Sequence, residues 1–313
     1  MFSNFVVAVS AVIPIFVLIG IGLFVKHAKL MTPEELKHTN RMVFRVFFFC
    51  MMFANIYRAD FEDGFDPSLV VFGMTAVTLL FLAAMAFSIW FEKDNRKRGS
   101  MAQAIFRSNF VILGIPIVVN IFGEDAALIP TMMIAAIVPL YNIFAVFELE
   151  MFRGGKFQLI PILIRVLKNP MIDGIILGAL CRLLPFPIPD PILKPIAQVG
   201  AATTPVALII LGASFEKGGI ADSRRDLWAS TIARLIVAPA IMLTAAALLG
   251  FRGAEFVTLI AIFATPCAVA SYAMAQQMGA DAALAGNCVV FTSALSAFTM
   301  FGWVFVTKTL GLF

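Results

Sequence analysis

The sequence predicts an all-α, polytopic membrane protein, and three observations carry that reading. Of its 313 residues 61% are hydrophobic and only 13% charged, with a mean hydropathy of +0.97, whereas roughly a quarter of the residues of a soluble domain are charged. Apolar runs recur from end to end, each long enough to cross a hydrocarbon layer about 30 Å thick as a helix. The loops between them are short and leave no linker, low-complexity tract or extramembrane domain. A soluble globular protein is excluded.

Ten spans follow in order. The first, Phe5 to Val25, has no lysine or arginine before it and exceeds the length of a signal-peptide core, so it reads as an uncleaved span. The second and third run from Arg41 to Tyr57 and from Ser68 to Trp90. The fourth, Met101 to Phe122, contains Pro116, and the fifth runs from Ala126 to Phe147. The sixth, Met171 to Leu184, is shut down by Pro185, Pro187, Pro189 and Pro191, and the basic stretch before it, Arg153 to Lys168, reads as interfacial. The seventh covers Ile192 to Phe215 and the eighth Leu227 to Leu249. The ninth, Phe256 to Met278, contains Pro266, and the tenth is Ala282 to Val306.

Basic residues set the orientation. Alternate loops beginning with Lys26, Lys93, Arg153 and Lys217 hold fifteen of the 23 lysines and arginines, against five in the other set. The positive-inside rule places the rich set in the cytoplasm and both termini outside.

The halves share a motif. Gly123-Glu124-Asp125-Ala126-Ala127-Leu128 follows the fourth span, and Gly279-Ala280-Asp281-Ala282-Ala283-Leu284 follows the ninth, 156 residues later. Each joins a proline-interrupted span to an unbroken one. Five spans per half is an odd number, so the second copy enters the membrane upside down, an inverted repeat of the kind that builds many secondary transporters. The two units are residues 1–155 and 156–313.

The interrupted spans carry the chemistry. Pro116 removes a backbone donor and Gly114 lets the chain open, and Pro266 in Ala264-Thr265-Pro266-Cys267 acts likewise. Breaks there are expected to free the amides of Ile117, Val118, Cys267 and Ala268 at the positive end of a half-helix. Two such ends meeting at midplane are expected to bind an anion without needing a buried lysine or arginine. Pro14, Pro139 and Pro239 read as kinks.

The run Asn109-x4-Gly114-Ile115-Pro116-Ile117 followed by Phe122-Gly123 resembles the fourth helix of the auxin efflux carrier family, which includes plant PIN-formed auxin exporters and bacterial malonate and malate carriers. Asn169-Pro170, Thr203-Thr204-Pro205 through Leu211-Gly212-Ala213, and Ala264-x-Pro266 extend the likeness over the chain in span order. The resemblance implies ten helices in two inverted repeats, a scaffold of spans 1, 2, 6 and 7, and a moving part of spans 3–5 and 8–10 whose fourth and ninth helices cross at their prolines. It also implies carboxylate substrates, elevator-type alternating access and a homodimer through the scaffold. The long loop of the plant exporters is absent, and Phe49-Cys50-Met51 stands where many members have a proline. A small mono- or dicarboxylate, such as malonate or malate, in a bacterial inner membrane is therefore expected rather than a plant hormone.

Candidate substrate-binding residues are Asn109, Gly114, Pro116, Ile117, Asn120, Thr265, Pro266, Cys267 and Ser271 around the two breaks, with Asn142 and Asn55 from the fifth and second spans. Gln276 lies beyond the second break. Asp173, opening the sixth span, is a coupling candidate that also suits a helix cap. Glu148 and Glu150 are expected to reach the interface beside Arg153, and Arg107 to attract anions or snorkel. His27 and His38 fall in a charged loop.

Other chemistries find no footing. Cys50, Cys181, Cys267 and Cys288 lie in apolar runs with no CxxC and no histidine nearby, so no zinc site or disulfide framework is indicated, and no cofactor is expected. A net charge of +4 spread over loops gives no nucleic-acid footprint. An intramembrane enzyme needs a nucleophile and base or paired carboxylates at one depth, and none are placed so. The function expected is carriage of a small organic anion; the alternative is a sodium-coupled carrier of larger amphipathic acids, like the bile-acid symporters.

Overall fold

A computed structural model describes residues 2–58, 67–153, 159–184, 186–215 and 222–313, with side chains from Ile13 onward. Lys156, Pro185, Lys217 and the side chain of Phe5 lie outside the described residues. Those described form helices, turns and a single isolated β-bridge.

The helices are α1 (Phe2–His27), α2 (Pro33–Met42), α3 (Phe48–Tyr57), α4 (Pro67–Phe91), α5 (Asn95–Phe106), α6 (Phe110–Phe122), α7 (Leu128–Arg153), α8 (Leu159–Leu167), α9 (Pro170–Arg182) and α10 (Asp190–Ser214). They continue as α11 (Arg224–Ile232), α12 (Ala238–Leu248), α13 (Gly253–Ala264), α14 (Ala270–Met278) and α15 (Ala282–Thr309). A π-helical turn at Val43–Phe47 joins α2 to α3, and another at Ala233–Val237 joins α11 to α12. Among the described residues five stretches are each long and apolar enough to cross a membrane: Pro67–Phe91, Glu124–Arg153, Asp190–Ser214, Arg224–Leu248 and Ala282–Thr309.

Apolar side chains cover the outside as well as the core. Val71, Leu79 and Leu82 on α4, Ile241 on α12 and Phe298 on α15 are each more than half exposed. Such a surface is a liability in water and is what a bilayer solvates. This is a multi-pass membrane protein.

The second helix starts eight residues earlier than its apolar run, at Pro33 instead of Arg41. Thr32 caps it: the Glu35 amide donates to the Thr32 hydroxyl, and the Glu35 carboxylate accepts from the Thr32 amide and hydroxyl. This is a capping box with proline at the first helical position. The Thr32 amide, then its hydroxyl, holds the Glu35 carboxyl below its ordinary range. His38 therefore lies on a helix, still exposed, and not in a loop.

Glycines let four helices pack backbone to backbone. A Cβ on Gly22 of α1 would lie 2.1 Å from the Ile209 carbonyl oxygen, and one on Gly212 of α10 would lie 2.1 Å from that of Ile19. On α9, Gly174 and Gly178 meet the carbonyls of Phe49 and Phe53 on α3, at 2.6 and 2.8 Å from a built Cβ. This small-x3-small spacing is the close-packing device of membrane helices, where van der Waals fit replaces the hydrophobic drive. Gly200 of α10 abuts Met51 of α3 in the same way. α1, α3, α9 and α10 thus form one tightly packed group.

Candidate functional site

The site is a crossing of two broken helices. α5 stops at Phe106 and α6 begins at Phe110; α13 stops at Ala264 and α14 begins at Ala270. Between them the chain is extended at Arg107 and Thr265, and the two extended segments form an antiparallel bridge between Ser108 and Cys267. The Asn109 amide donates to the Pro266 carbonyl at 2.8 Å, and the Ala268 amide to that of Arg107 at 3.2 Å. Thr292 of α15 supports the crossing by accepting from the Cys267 amide at 3.0 Å while its hydroxyl donates to the Cys288 carbonyl.

The breaks differ from expectation in one respect. The ninth predicted span opens at Pro266 as anticipated, but the fourth opens at Arg107–Asn109, seven residues before Pro116, and α6 runs unbroken through that proline. Loss of one donor is tolerable in a membrane helix whose neighbours hold it. Gly114 serves another purpose: a Cβ there would lie 2.4 Å from the Phe110 ring. The amides of Ile117 and Val118 fall within α6, and those of Cys267 and Ala268 are used at the crossing, so these four are not the free donors expected.

What the crossing leaves open is different. Asn109 sits at the N-cap of α6 yet makes no capping bond, and its Nδ2 is buried without a partner. Thr265 Oγ1, equally buried, also has none. Val269 gives α14 no side-chain cap either. Two helix N-termini, each carrying partial positive charge, are left here, beside two polar groups of the kind that folded proteins seldom leave unpaired.

Two buried arginines flank this point. Arg107 donates to Gln103 Oε1 at 3.4 Å, to Met274 Sδ and to Asn142 Oδ1. Asn142 in turn donates to the Val138 carbonyl at 2.8 Å and to Met52 Sδ. Arg234, from the π-helical turn, is fully buried and donates to the carbonyls of Thr265 (2.8 Å), Ile262 (3.0 Å), Ile105 (3.2 Å) and Phe106 (3.4 Å). It therefore caps the negative C-terminal ends of both first half-helices.

The remaining candidates scatter. Ser271 is buried in the first turn of α14. Pro116 and Asn120 are exposed along α6, and Asn55 is half-buried on α3. Gln276 accepts from Asn40 Nδ2 and donates to the Tyr272 hydroxyl. Asp173 is exposed in the first turn of α9, whose cap is Asn169: the Met171 amide donates to Asn169 Oδ1 at 3.0 Å. Glu148 and Glu150 are both buried in the protein, Glu150 beside Arg153 as expected and Glu148 packed inside against Gly99. Glu150 pairs with Arg165 at 2.6 Å and Arg153 at 3.1 Å, whereas neither Glu148 oxygen has a hydrogen-bond partner.

Two cavities flank α14. One, of about 540 Å³, is lined by Lys26, Lys29, Tyr272, Gln276 and Asn287 among others. The other, of about 520 Å³, gathers Arg45, Arg153, Arg165 and Lys168 with Glu150 and Asp173. Neither is lined by Asn109, Thr265 or Cys267, all of which are buried. Among the described residues no cluster of three or more histidine, cysteine or acidic side chains is placed to hold a metal.

Sequence reasoning missed Ser108, Thr292, Arg234 and the depth of Glu148. Only Arg234, an arginine inside an apolar run, announced itself.

A family model described as "Membrane transport protein" matches residues 7–304. An uncharacterized transporter of Methanothermobacter thermautotrophicus is 23% identical over 306 residues, covering 96% of this chain and 98% of that protein. An uncharacterized transporter of Methanocaldococcus jannaschii is 23% identical over 315 residues, covering 95% and 99%. With an all-helical membrane fold built round two crossed helix breaks and a family match over nearly its whole length, the chain belongs to the auxin efflux carrier family of membrane transport proteins.

Proposed function

We propose that this chain is a secondary active transporter of a small organic anion, a mono- or dicarboxylate such as malonate or malate, bound where the two broken helices cross. The observation that carries the reading is Asn109: an N-cap asparagine that forgoes its cap and keeps a buried donor unpartnered, at the positive end of α6 and next in the chain but one to the buried Arg107. Backbone amides, an asparagine donor and a guanidinium suit a carboxylate.

Elevator-type alternating access takes α1, α3, α9 and α10, which pack through their glycines, together with α2 as the scaffold; the crossing then travels with the other helices. The reading takes residues 1–155 and 156–313 as inverted five-helix repeats, both termini on the non-cytoplasmic side of the cell membrane, and the scaffold as the homodimer face. The sodium-coupled alternative has less support. Carbonyls at half-helix ends are the usual ligands of a coupling cation, and Arg234 already takes four of them here.

The test is a thermal-shift screen of purified protein against a carboxylate panel, with and without sodium, since a ligand that binds the native state raises apparent stability. A shift with a small carboxylate is expected, and Asn109→Ala is expected to weaken that binding about 10- to 100-fold, the worth of a hydrogen bond to a charged group. Unchanged affinity in folded Asn109→Ala would sink the site assignment; sodium dependence would favour the alternative.

A further inference from the structure

Glu148 is fully buried on α7, and neither carboxyl oxygen has a hydrogen-bond partner. Its surroundings are tight: a Cβ on Gly99 of α5 would lie 3.3 Å from Oε1 and 3.5 Å from the Ala280 side chain. One turn along α5 from Gly99 stands Gln103, fully buried, with Nε2 unpartnered and Oε1 accepting from Arg107. Arg107 continues to Asn142. Gln103, Arg107 and Asn142 thus form a buried hydrogen-bonded file at the crossing, and Glu148 packs against Gly99 one α5 turn from its Gln103 end.

The charges around this file are few. From α5 and its end, Arg107 acts on Glu148 electrostatically. On α7 itself Glu150 is held by Arg153 and Arg165. In the turn before α15, Asp281 is engaged in accepting from the Leu284 amide at 2.9 Å. Arg234 is satisfied by carbonyls. So among the described residues Arg107 is the cation that acts on the Glu148 carboxyl, with no direct bond between them.

We propose that Glu148 is the proton-binding residue of this carrier, taking up one proton for each carboxylate that binds beside Arg107. The proposal rests on the anion-carrier reading above and supplies its coupling. A charge buried in a dry site is stable only when balanced. With the crossing empty, ionised Glu148 balances Arg107. When a substrate carboxylate takes that role, Glu148 is left with no partner and binds a proton. The O–H bond forms at a carboxyl oxygen with a proton from water on the side to which the site is open. It breaks to water on the other side as substrate leaves. Linkage makes the effect reciprocal: a proton favours substrate as much as substrate favours the proton.

The experiment uses the full-length protein and Glu148→Gln, which keeps the shape and fixes the neutral form. Malonate binding is measured between about pH 7 and 9, where small carboxylates stay ionised. Wild type is expected to lose affinity up to about tenfold per pH unit, the slope of one linked proton, and the variant to bind with no such slope. In liposomes the variant should still exchange malonate for malonate but lose accumulation driven by a pH gradient. Infrared difference spectra should show a protonated-carboxyl band on malonate binding in wild type and none in Glu148→Gln. A variant that keeps the wild-type slope, or a wild type without the band, overturns the assignment of Glu148. Wild type that binds no carboxylate instead overturns the carrier reading, and this coupling with it.

Discussion

Arg234 does at the crossing what no helix can do for itself. The Ile262 carbonyl would ordinarily accept from the residue four places on, which is Pro266 and has no N–H; the corresponding donor for Ile105 is the Asn109 amide, which is spent on the Pro266 carbonyl. One planar guanidinium supplies both bonds and reaches Phe106 and Thr265 as well. Arg234→Ala should therefore cost roughly 2–5 kcal/mol, since each buried acceptor left open costs about 1–3 kcal/mol. The expected readout is a lowered midpoint in thermal unfolding of the detergent-solubilised protein. Arg234→Lys keeps the charge but not the fork and should fall between; a lysine variant as stable as wild type would refute the multidentate role. The apolar run around Arg234 does not disclose these partners, because depth is set by how neighbours pack, not by the run's own hydropathy. Glu148 was misplaced for the same reason: a carboxylate near the end of an apolar run is by default interfacial, yet α7 continues to Arg153 and α5 closes over it.

Elements were more legible than residues, because apolar length and capping chemistry are local. The long helices α4, α10 and α15 begin within two residues of their predicted starts. The break in the fourth span was not legible. Arg107-Ser108-Asn109 contains neither proline nor glycine, and its extended geometry comes from the bridge to Cys267, 159 residues away; Pro116, the local breaker, is carried inside a helix. The glycine at Gly123 and its counterpart Gly279 do obey local rules, both with positive φ (89° and 83°) where their helices end. Helix contacts give a sharper test. Gly212→Ala puts a methyl group onto the Ile19 carbonyl and should destabilise by about 1–3 kcal/mol, the usual cost of overpacking. Gly20→Ala, with nothing within 4 Å of the new methyl group, should be neutral or slightly stabilising. Equal effects at the two sites, measured by thermal unfolding, would mean that α1 and α10 do not meet along this face.

At the scale of the whole molecule, the structure holds its chemistry in a closed place. Asn109, Thr265, Cys267 and Ser271 are all at least nine-tenths buried, and the two cavities beside α14 stop short of them. A carrier must open that place to each side in turn, which a rigid crossing cannot do by local motion alone, since its amides are bonded across both segments. In the elevator mechanism proposed above, the crossing moves as a body against the glycine-packed group of α1, α3, α9 and α10. Cys267 reports on such movement because its thiol sits in the bridge itself and is fully buried. In a background with Cys50, Cys181 and Cys288 replaced by alanine, Cys267 should react slowly with a membrane-impermeant maleimide. Malonate should change the rate several-fold, and in opposite senses for reagent added to the two faces of sealed vesicles, because a substrate that favours one orientation depletes the other. Equal rates with and without malonate from both faces, in protein that binds it, would show that the crossing stays put, and transport would then have to pass through a fixed pore.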